Sequence, residues 1–275
     1  MTAKAEQGTG QLRSTYEDFA NRPFYVDINR QTVALLPQVR NVVDIATGTG
    51  AIITQLIQQE KLLPDYQIKG YDIDKTSLEE ARKKFGRFNS QIKFENASAE
   101  FIPLGDDWAD AVTFCNAIHL TNVQRAMDEA SRILKPGRPM VVNTAYAKDM
   151  AYPRNSRRLW GLWVLKAREI AESEYKLIPD EPVNLLKHTS EDYKQMALNA
   201  GFEKVFLGQI VKEMDEEDLT AIGGYKEFTE GAMPGIPYEI SKDCLIRAIK
   251  PTLERAPTGK LPRGWMVMFA FKKAA

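Results

Sequence analysis

Cysteine and histidine are nearly absent from this 275-residue chain: Cys115, Cys244, His119 and His188 are the whole supply. Two cysteines without CxxC spacing exclude a disulfide framework, and so few histidines exclude a clustered metal site, so two buried, inert thiols are expected and no metal is. An excess of charge is also missing, because 37 Lys+Arg balance 37 Asp+Glu. A nucleic-acid enzyme ordinarily needs a basic surplus to neutralise phosphates, so a nucleic-acid partner is disfavoured. No stretch approaches the ~18 consecutive apolar residues of a membrane span. The opening MTAKAEQGTGQLRS lacks the apolar core of a secretory signal, and a cytoplasmic location is expected. Internal repeats and low-complexity stretches are lacking too. What remains is ordinary globular composition, 44% hydrophobic and 27% charged, at a length suited to one enlarged domain. Oligomeric state leaves no signal in the sequence.

From about residue 41, short β-rich runs alternate with helical patterns, which predicts βαβ units and a doubly wound, mostly parallel α/β sheet. The expected strands are 41–46, 67–72, QIKFENA, 110–116, 139–145, FEKVFLGQI and 265–273, seven in all. Between them AIITQLIQQE reads as a helix. The stretch after Thr76 reads as another, capped by Thr76 and Glu79, and Thr121–Leu134 as a third, capped by Thr121 and Gln124 and stopped by Lys135-Pro136-Gly137. Ser190–Ala200 reads as a fourth, ended by Gly201. Three segments fall outside the alternation. Residues 1–38 are expected to form an N-terminal helical lid, and about 146–188 and 211–263 to be cap insertions on a domain spanning 39–275. Insertions after the carboxyl ends of strands overhang the ligand crevice of such sheets, so these are the natural substrate-binding parts.

The most informative run is Val42-Val43-Asp44-Ile45-Ala46-Thr47-Gly48-Thr49-Gly50. A buried strand that ends in small residues and then opens a helix lets backbone approach a ligand and aims N–H groups at it. A purely structural tight turn would look the same. A dinucleotide site would carry a third small residue where this chain has Ile53, which counts against NAD. Asp72, at the end of the second strand, is placed to accept both ribose hydroxyls in charge-assisted hydrogen bonds; its plainer role would be a helix N-cap.

The run 42–50 resembles motif I of the class I S-adenosylmethionine-dependent methyltransferases, with Ala46 in place of the first glycine. Ser98-Ala99-Glu100-Phe101-Ile102-Pro103-Leu104-Gly105-Asp106-Asp107-Trp108-Ala109-Asp110-Ala111-Val112 is similar to that family's D-A-E-D-L-P-F-x-D-x-x-F-D-x-V pattern, with Ser98 in place of the first Asp. Asn116-Ala117-Ile118-His119-Leu120 and Arg132-Ile133-Leu134-Lys135-Pro136-Gly137 look like its N-A-x-H-x loop and R-x-L-K-P-G turn. The resemblance, to small-molecule enzymes of the methyltransferase 11/25 type, covers about 40–145 strongly and 190–210 weakly.

It implies S-adenosyl-L-methionine as cofactor, held by Asp44, Ala46, Thr47, Gly48, Gly50, Asp72, Ile73, Ser98, Ala99, Glu100 and Asn116. It further implies metal-independent, in-line transfer of a methyl group to an O, N or C nucleophile of a small molecule. His119 is the one titratable group that the motif places near the methyl and is the candidate base, although a lone histidine is more often a packing residue. Tyr16 and Tyr25 are candidate lid aromatics or core. Trp160 and Trp163 share one stripe of an inserted helix, one expected to pack and the other to wall a substrate pocket. Two rivals stand beside this reading: an NAD(P)-dependent oxidoreductase, opposed by Ile53, and a non-catalytic S-adenosylmethionine-binding protein.

Overall fold

The computed structural model describes residues 15–181 and 184–274. Two short helices, α1 (Thr15–Ala20) and α2 (Pro23–Ala34), precede the sheet, the second opening on a proline whose missing N–H and fixed φ suit a first helical turn. The alternation then runs β1 (Val39–Ile45), α3 (Ala51–Gln58), β2 (Leu62–Asp72), α4 (Lys75–Lys84), β3 (Ile92–Asn96), β4 (Ala111–Cys115), α5 (Val123–Ile133) and β5 (Pro139–Thr144). After α6 (Arg157–Ile170) and α7 (Ser190–Asn199) comes β6 (Phe202–Met214). Four helices follow, α8 (Glu216–Gly224), α9 (Lys226–Ala232), α10 (Tyr238–Arg247) and α11 (Ile249–Leu253), and β7 (Leu261–Lys272) closes the order.

The sheet order is β3-β2-β1-β4-β5-β7-β6. The first five strands pair in parallel, and β7 runs antiparallel to both β5 and β6. Strand order reverses between β1 and β4, the switch point at which open α/β sheets bind ligands. Strands β4 and β5 are buried along their whole length, which explains their mostly apolar sequence. One face packs on α5 and α7 through Met127, Ala130, Tyr193 and Ala197; the other packs on α3 and α4 through Ile53, Leu56, Leu78 and Ala81. The seven-stranded, mostly parallel architecture is thus the expected one.

Two helix starts differ from the sequence reading. Asp74, not Thr76, caps α4, its carboxylate accepting the N–H groups of Thr76 and Ser77. Asn122, not Thr121, caps α5 by accepting Arg125 N–H, while the Thr121 hydroxyl donates to the Ile118 carbonyl and Gln124 reaches Asp128 and Met196. In both cases an Asx side chain one or two residues away has the shorter reach to the free N–H groups. The third expected insertion is also shorter than 211–263: β6 continues to Met214 and β7 begins at Leu261, because these antiparallel neighbours hold their ladder beyond the parallel part of the sheet.

A second core joins α1, α2, α6 and α8–α11 to this extension, with Trp163, Met214, Leu219, Leu245, Leu261 and Trp265 at its centre. Helix α2 is also fastened to the sheet by amides. Asn116 Nδ2 donates to Asn29 Oδ1 at 3.2 Å, and Asn143 Nδ2 donates to Thr32 Oγ1 at 2.9 Å. Among the described residues, no helix is long and apolar enough to cross a membrane.

Candidate functional site

The carboxyl ends of β1 and β2 are tied together by the loop that follows β1. Ala46, Gly48 and Gly50 all have positive φ, at 53°, 52° and 81°. At Gly50 a Cβ would come within 2.4 Å of the Phe85 ring, so this glycine serves both the left-handed turn and the close approach of α4. The loop folds over Asp44, whose buried carboxylate accepts the hydroxyls of Thr47 and Thr113, each at 2.6 Å. Burial raises the Asp44 carboxyl from its ordinary 3.8 to about 6, against the pull of those two donors. Asp44 and Thr47 therefore shape the loop from beneath, and the Thr113 partner was not foreseen.

Asp72 stands at the end of β2. One carboxylate oxygen accepts Gly48 N–H at 2.8 Å and the other accepts Asp74 N–H at 2.9 Å. Burial raises its carboxyl above the ordinary value. A carboxylate has about four lone-pair positions, so these two bonds leave capacity for a ligand. Ile73 and Phe101, which leave the sheet from the neighbouring strands β2 and β3, are each 74% exposed. Large apolar side chains held open beside a half-satisfied carboxylate suit a flat, apolar ring carrying a polyol. Thr49 Oγ1, at the turn into α3, is buried without a hydrogen-bond partner. It adjoins a small cavity of about 40 Å³ lined by Asn21, Asn29, Thr54 and Gln55.

Other predicted residues have more local duties. The Ser98 hydroxyl accepts Glu100 N–H, and the Glu100 carboxylate accepts Asn122 N–H at the start of α5 while facing Arg125. Asn116 holds positive φ just after β4; its backbone N–H donates to Asn143, its Oδ1 accepts the Trp265 indole N–H, and its Nδ2 donates to Asn29. Ala99 is buried beneath the same edge.

His119 lies past β4, buried, with Nδ1 3.1 Å from Thr144 Oγ1 and its ring stacked on Tyr146 at 4.1 Å. Desolvation, aided by the charge of Arg263, lowers its imidazole from 6.5 to about 3. Tyr25 is buried against Phe19 and Phe24, so it belongs to the helical core. The side chain of Tyr16 lies outside the described residues. Trp160 and Trp163 both pack: their indoles donate to the carbonyls of Pro262 and Leu245, and Trp163 stacks on Phe228. The expectation of one packed and one pocket-facing tryptophan gives way because the stripe faces α10, α11 and β7, an apolar surface that only tertiary contact supplies.

A wide groove of about 980 Å³ lies between α1, α8 and α10, but none of the crevice residues lines it and its charged walls include Arg22, already bound to Glu217 and Asp218. Among the described residues no cluster of three or more His, Cys, Asp or Glu could hold a metal ion.

Parallel strands reversing at β1/β4, a positive-φ loop and a carboxylate at the end of β2 define a Rossmann-like domain of the nucleotide-cofactor class. Residues 42–137 match the family model of the methyltransferase domain. Over that region the chain is similar to class I methyltransferase domains of the 11/25 kind. The chain is similar to the ubiquinone/menaquinone biosynthesis C-methyltransferase UbiE of Desulfotalea psychrophila, 32% identical over 120 residues, 42% of this chain and 47% of that protein. It thus spans about half the length of that relative. It is also similar to the malonyl-[acyl-carrier protein] O-methyltransferase of Alcanivorax borkumensis, 24% identical over 97% of this chain and 85% of the relative. Its fold resembles phosphoethanolamine N-methyltransferase 2 of Haemonchus contortus, solved in complex with S-adenosyl-L-methionine, with a TM-score of 0.58 and 17% identity over 94% of this chain and 56% of that one.

Proposed function

We propose that the chain binds S-adenosyl-L-methionine along the carboxyl ends of β1, β2 and β4 and transfers its methyl group, without a metal, to an O, N or C nucleophile of a small molecule. The observation that carries this reading is the Asp72–Gly48 junction, a loop of positive-φ residues locked to a carboxylate that keeps lone pairs in reserve. The exposed Ile73 and Phe101 support it, because a ligand with a flat apolar part would cover both. The relatives act by name on carbon and on oxygen, so the acceptor atom is left as broad as the family.

The cofactor, when bound, supplies a sulfonium methyl that is electrophilic without further activation, so positioning is the main task of the protein. In this reading Asp72 accepts the ribose hydroxyls, Ile73 and Phe101 cover the base, and Ser98 and Ala99 meet its edge. Ala46, Gly48 and Gly50 admit the rest of the cofactor close to backbone. Asp44, Thr47 and Glu100 hold those parts in place from behind, and Asn116 joins the crevice to α2, which acts with α1 as the lid. His119 is a positioning group: an imidazole held near 3 is too weak a base to take a proton from a phenol or carbon acid. Two free thiols, Cys115 and Cys244, suit the reducing cytoplasm.

Calorimetric titration with S-adenosylmethionine, S-adenosylhomocysteine and NAD tests this reading. Binding of the first two and not the third is expected; binding of NAD alone overturns it. Conversion to S-adenosylhomocysteine in the presence of pooled metabolites separates an enzyme from a silent binder.

A further inference from the structure

Arg263, near the start of β7, is a buried cation without a counter-ion. It is 7% exposed, and among the described residues no carboxylate forms an ion pair with it. The acids close to it along β6 and α2 are engaged elsewhere, Glu213 with Arg154 and Asp27 with Lys212. Its guanidinium makes one hydrogen bond, from Nη2 to the Ala145 carbonyl at 2.7 Å, and lies over the rings of Tyr152, Trp160 and Tyr146 at 4.5, 5.2 and 5.3 Å. The aromatic faces offset part of the cost of burying the charge. They leave most of a five-donor fork unused.

The surroundings hold that fork in one place. Gly264 N–H donates to the Ala151 carbonyl, and a Cβ at Gly264 would lie 1.9 Å from the Met150 carbonyl oxygen. The 150–151 segment is therefore pressed onto β7, which keeps Tyr152 over Arg263. Tyr146 and Tyr152 are half-buried, so the fork lies just beneath the surface. Because β7 is antiparallel to β5, its first residues return to the carboxyl end of β5. His119, directly after β4, stacks on the same Tyr146. The cation thus sits on the edge of the sheet where an acceptor would wait.

We propose that Arg263 binds the carboxylate of the methyl acceptor, and that the acceptor is a small carboxylic acid with an apolar or aromatic body; this rests on the methyltransferase reading above. One planar fork matches one carboxylate in a bidentate pair. A phosphate dianion would call for a second free cation, and the nearby Lys212 and Arg154 are already paired. Tyr146 and Tyr152, half-buried over the fork, account for the apolar body, while Trp160 packs behind it.

The test uses the full chain and the variants Arg263→Met and Arg263→Lys, with acetate, benzoate and phenylacetate, their neutral amides, and inorganic phosphate as probes. S-Adenosylhomocysteine affinity is measured first and is expected to agree within about twofold among the three proteins, since Arg263 lies off the β1–β2 loop. At least one carboxylate then raises the wild-type melting temperature, with or without S-adenosylhomocysteine, while its amide and phosphate do not. Arg263→Met abolishes that rise, and Arg263→Lys keeps part of it. Without probe, Arg263→Met melts at the same temperature or about 2–4 °C higher, because an unpaired buried charge has been removed. A lower melting point would make Arg263 a structural clasp and overturn the proposal. So would an equal carboxylate response in Arg263→Met, a response to phosphate alone, or no response to any carboxylate. Failure of S-adenosylhomocysteine to bind would sink the cofactor reading and leave the carboxylate result to stand by itself.

Discussion

The Asp72 carboxylate holds the Gly48 backbone N–H at 2.8 Å, so the residue proposed to receive the ribose also sets the shape of the loop proposed to receive the rest of the cofactor. Asp72→Ala removes both and is expected to weaken S-adenosylhomocysteine binding by about 1.5–3 kcal/mol, the range for hydrogen bonds to a charged group. Calorimetry giving wild-type affinity would refute the assignment.

Asp44 and His119 make opposite contributions to stability between pH 4 and 6. The folded Asp44 carboxyl, near 6 against an ordinary 3.8, holds its proton longer than in the unfolded chain, so its contribution is present at low pH and is lost as pH rises through about 6. The loss is on the order of 3 kcal/mol. His119, near 3 against 6.5, resists protonation when folded, so its contribution is present at higher pH and is lost as pH falls through that window. In the wild type the two slopes largely cancel. Asp44→Asn should unmask a melting temperature that rises from pH 4 to 6, and His119→Gln one that falls. Parallel curves for the three proteins would show that neither group is held as described.

If His119 only positions, His119→Gln should keep kcat within about tenfold of the wild type, against the 10²–10⁴-fold loss typical of a missing general base. The pH–rate profile should show no limb that vanishes in the variant. A loss of a thousandfold together with a lost limb would restore His119 as the base.

Trp163 is sealed in the helical core, stacked on Phe228 and hydrogen-bonded to Leu245. Trp163→Ala should cost about 3–5 kcal/mol in denaturant unfolding, with unchanged S-adenosylhomocysteine affinity in the folded fraction. A near-neutral substitution would show that the layer is loosely packed and open to ligand.

Asn116, rather than an acid, follows β4, and its side chain is spent on Asn29 and Trp265. EDTA is expected to leave turnover unchanged. Loss of activity restored by magnesium would overturn the metal-independent reading.

The sequence by itself determined the sheet and its cofactor edge. Short, mostly apolar runs such as β4 and β5, set between helical patterns, read as buried strands, and the run from Asp44 to Gly50 carries its own turn chemistry, since Gly48 and Gly50 take positive φ without the cost of a Cβ. Those signals are local and survive without knowledge of what packs against them. The caps were less legible, because Thr76 and Asp74, or Thr121 and Asn122, differ only in reach to the same N–H groups.

Tertiary structure alone decided where the helical segments point. The Trp160–Trp163 stripe has the same periodicity whether it walls a pocket or meets α10 and α11, and Tyr25 likewise. Arg263 had one available signal, a single charge inside the apolar run LPRGWMVMFAF. That signal gains meaning only when β7 turns antiparallel beside β5 and brings the charge under Tyr146, Tyr152 and Trp160, residues more than a hundred positions away. Electrostatic need is a property of the whole surroundings of a group, and a sequence lists only its neighbours along the chain.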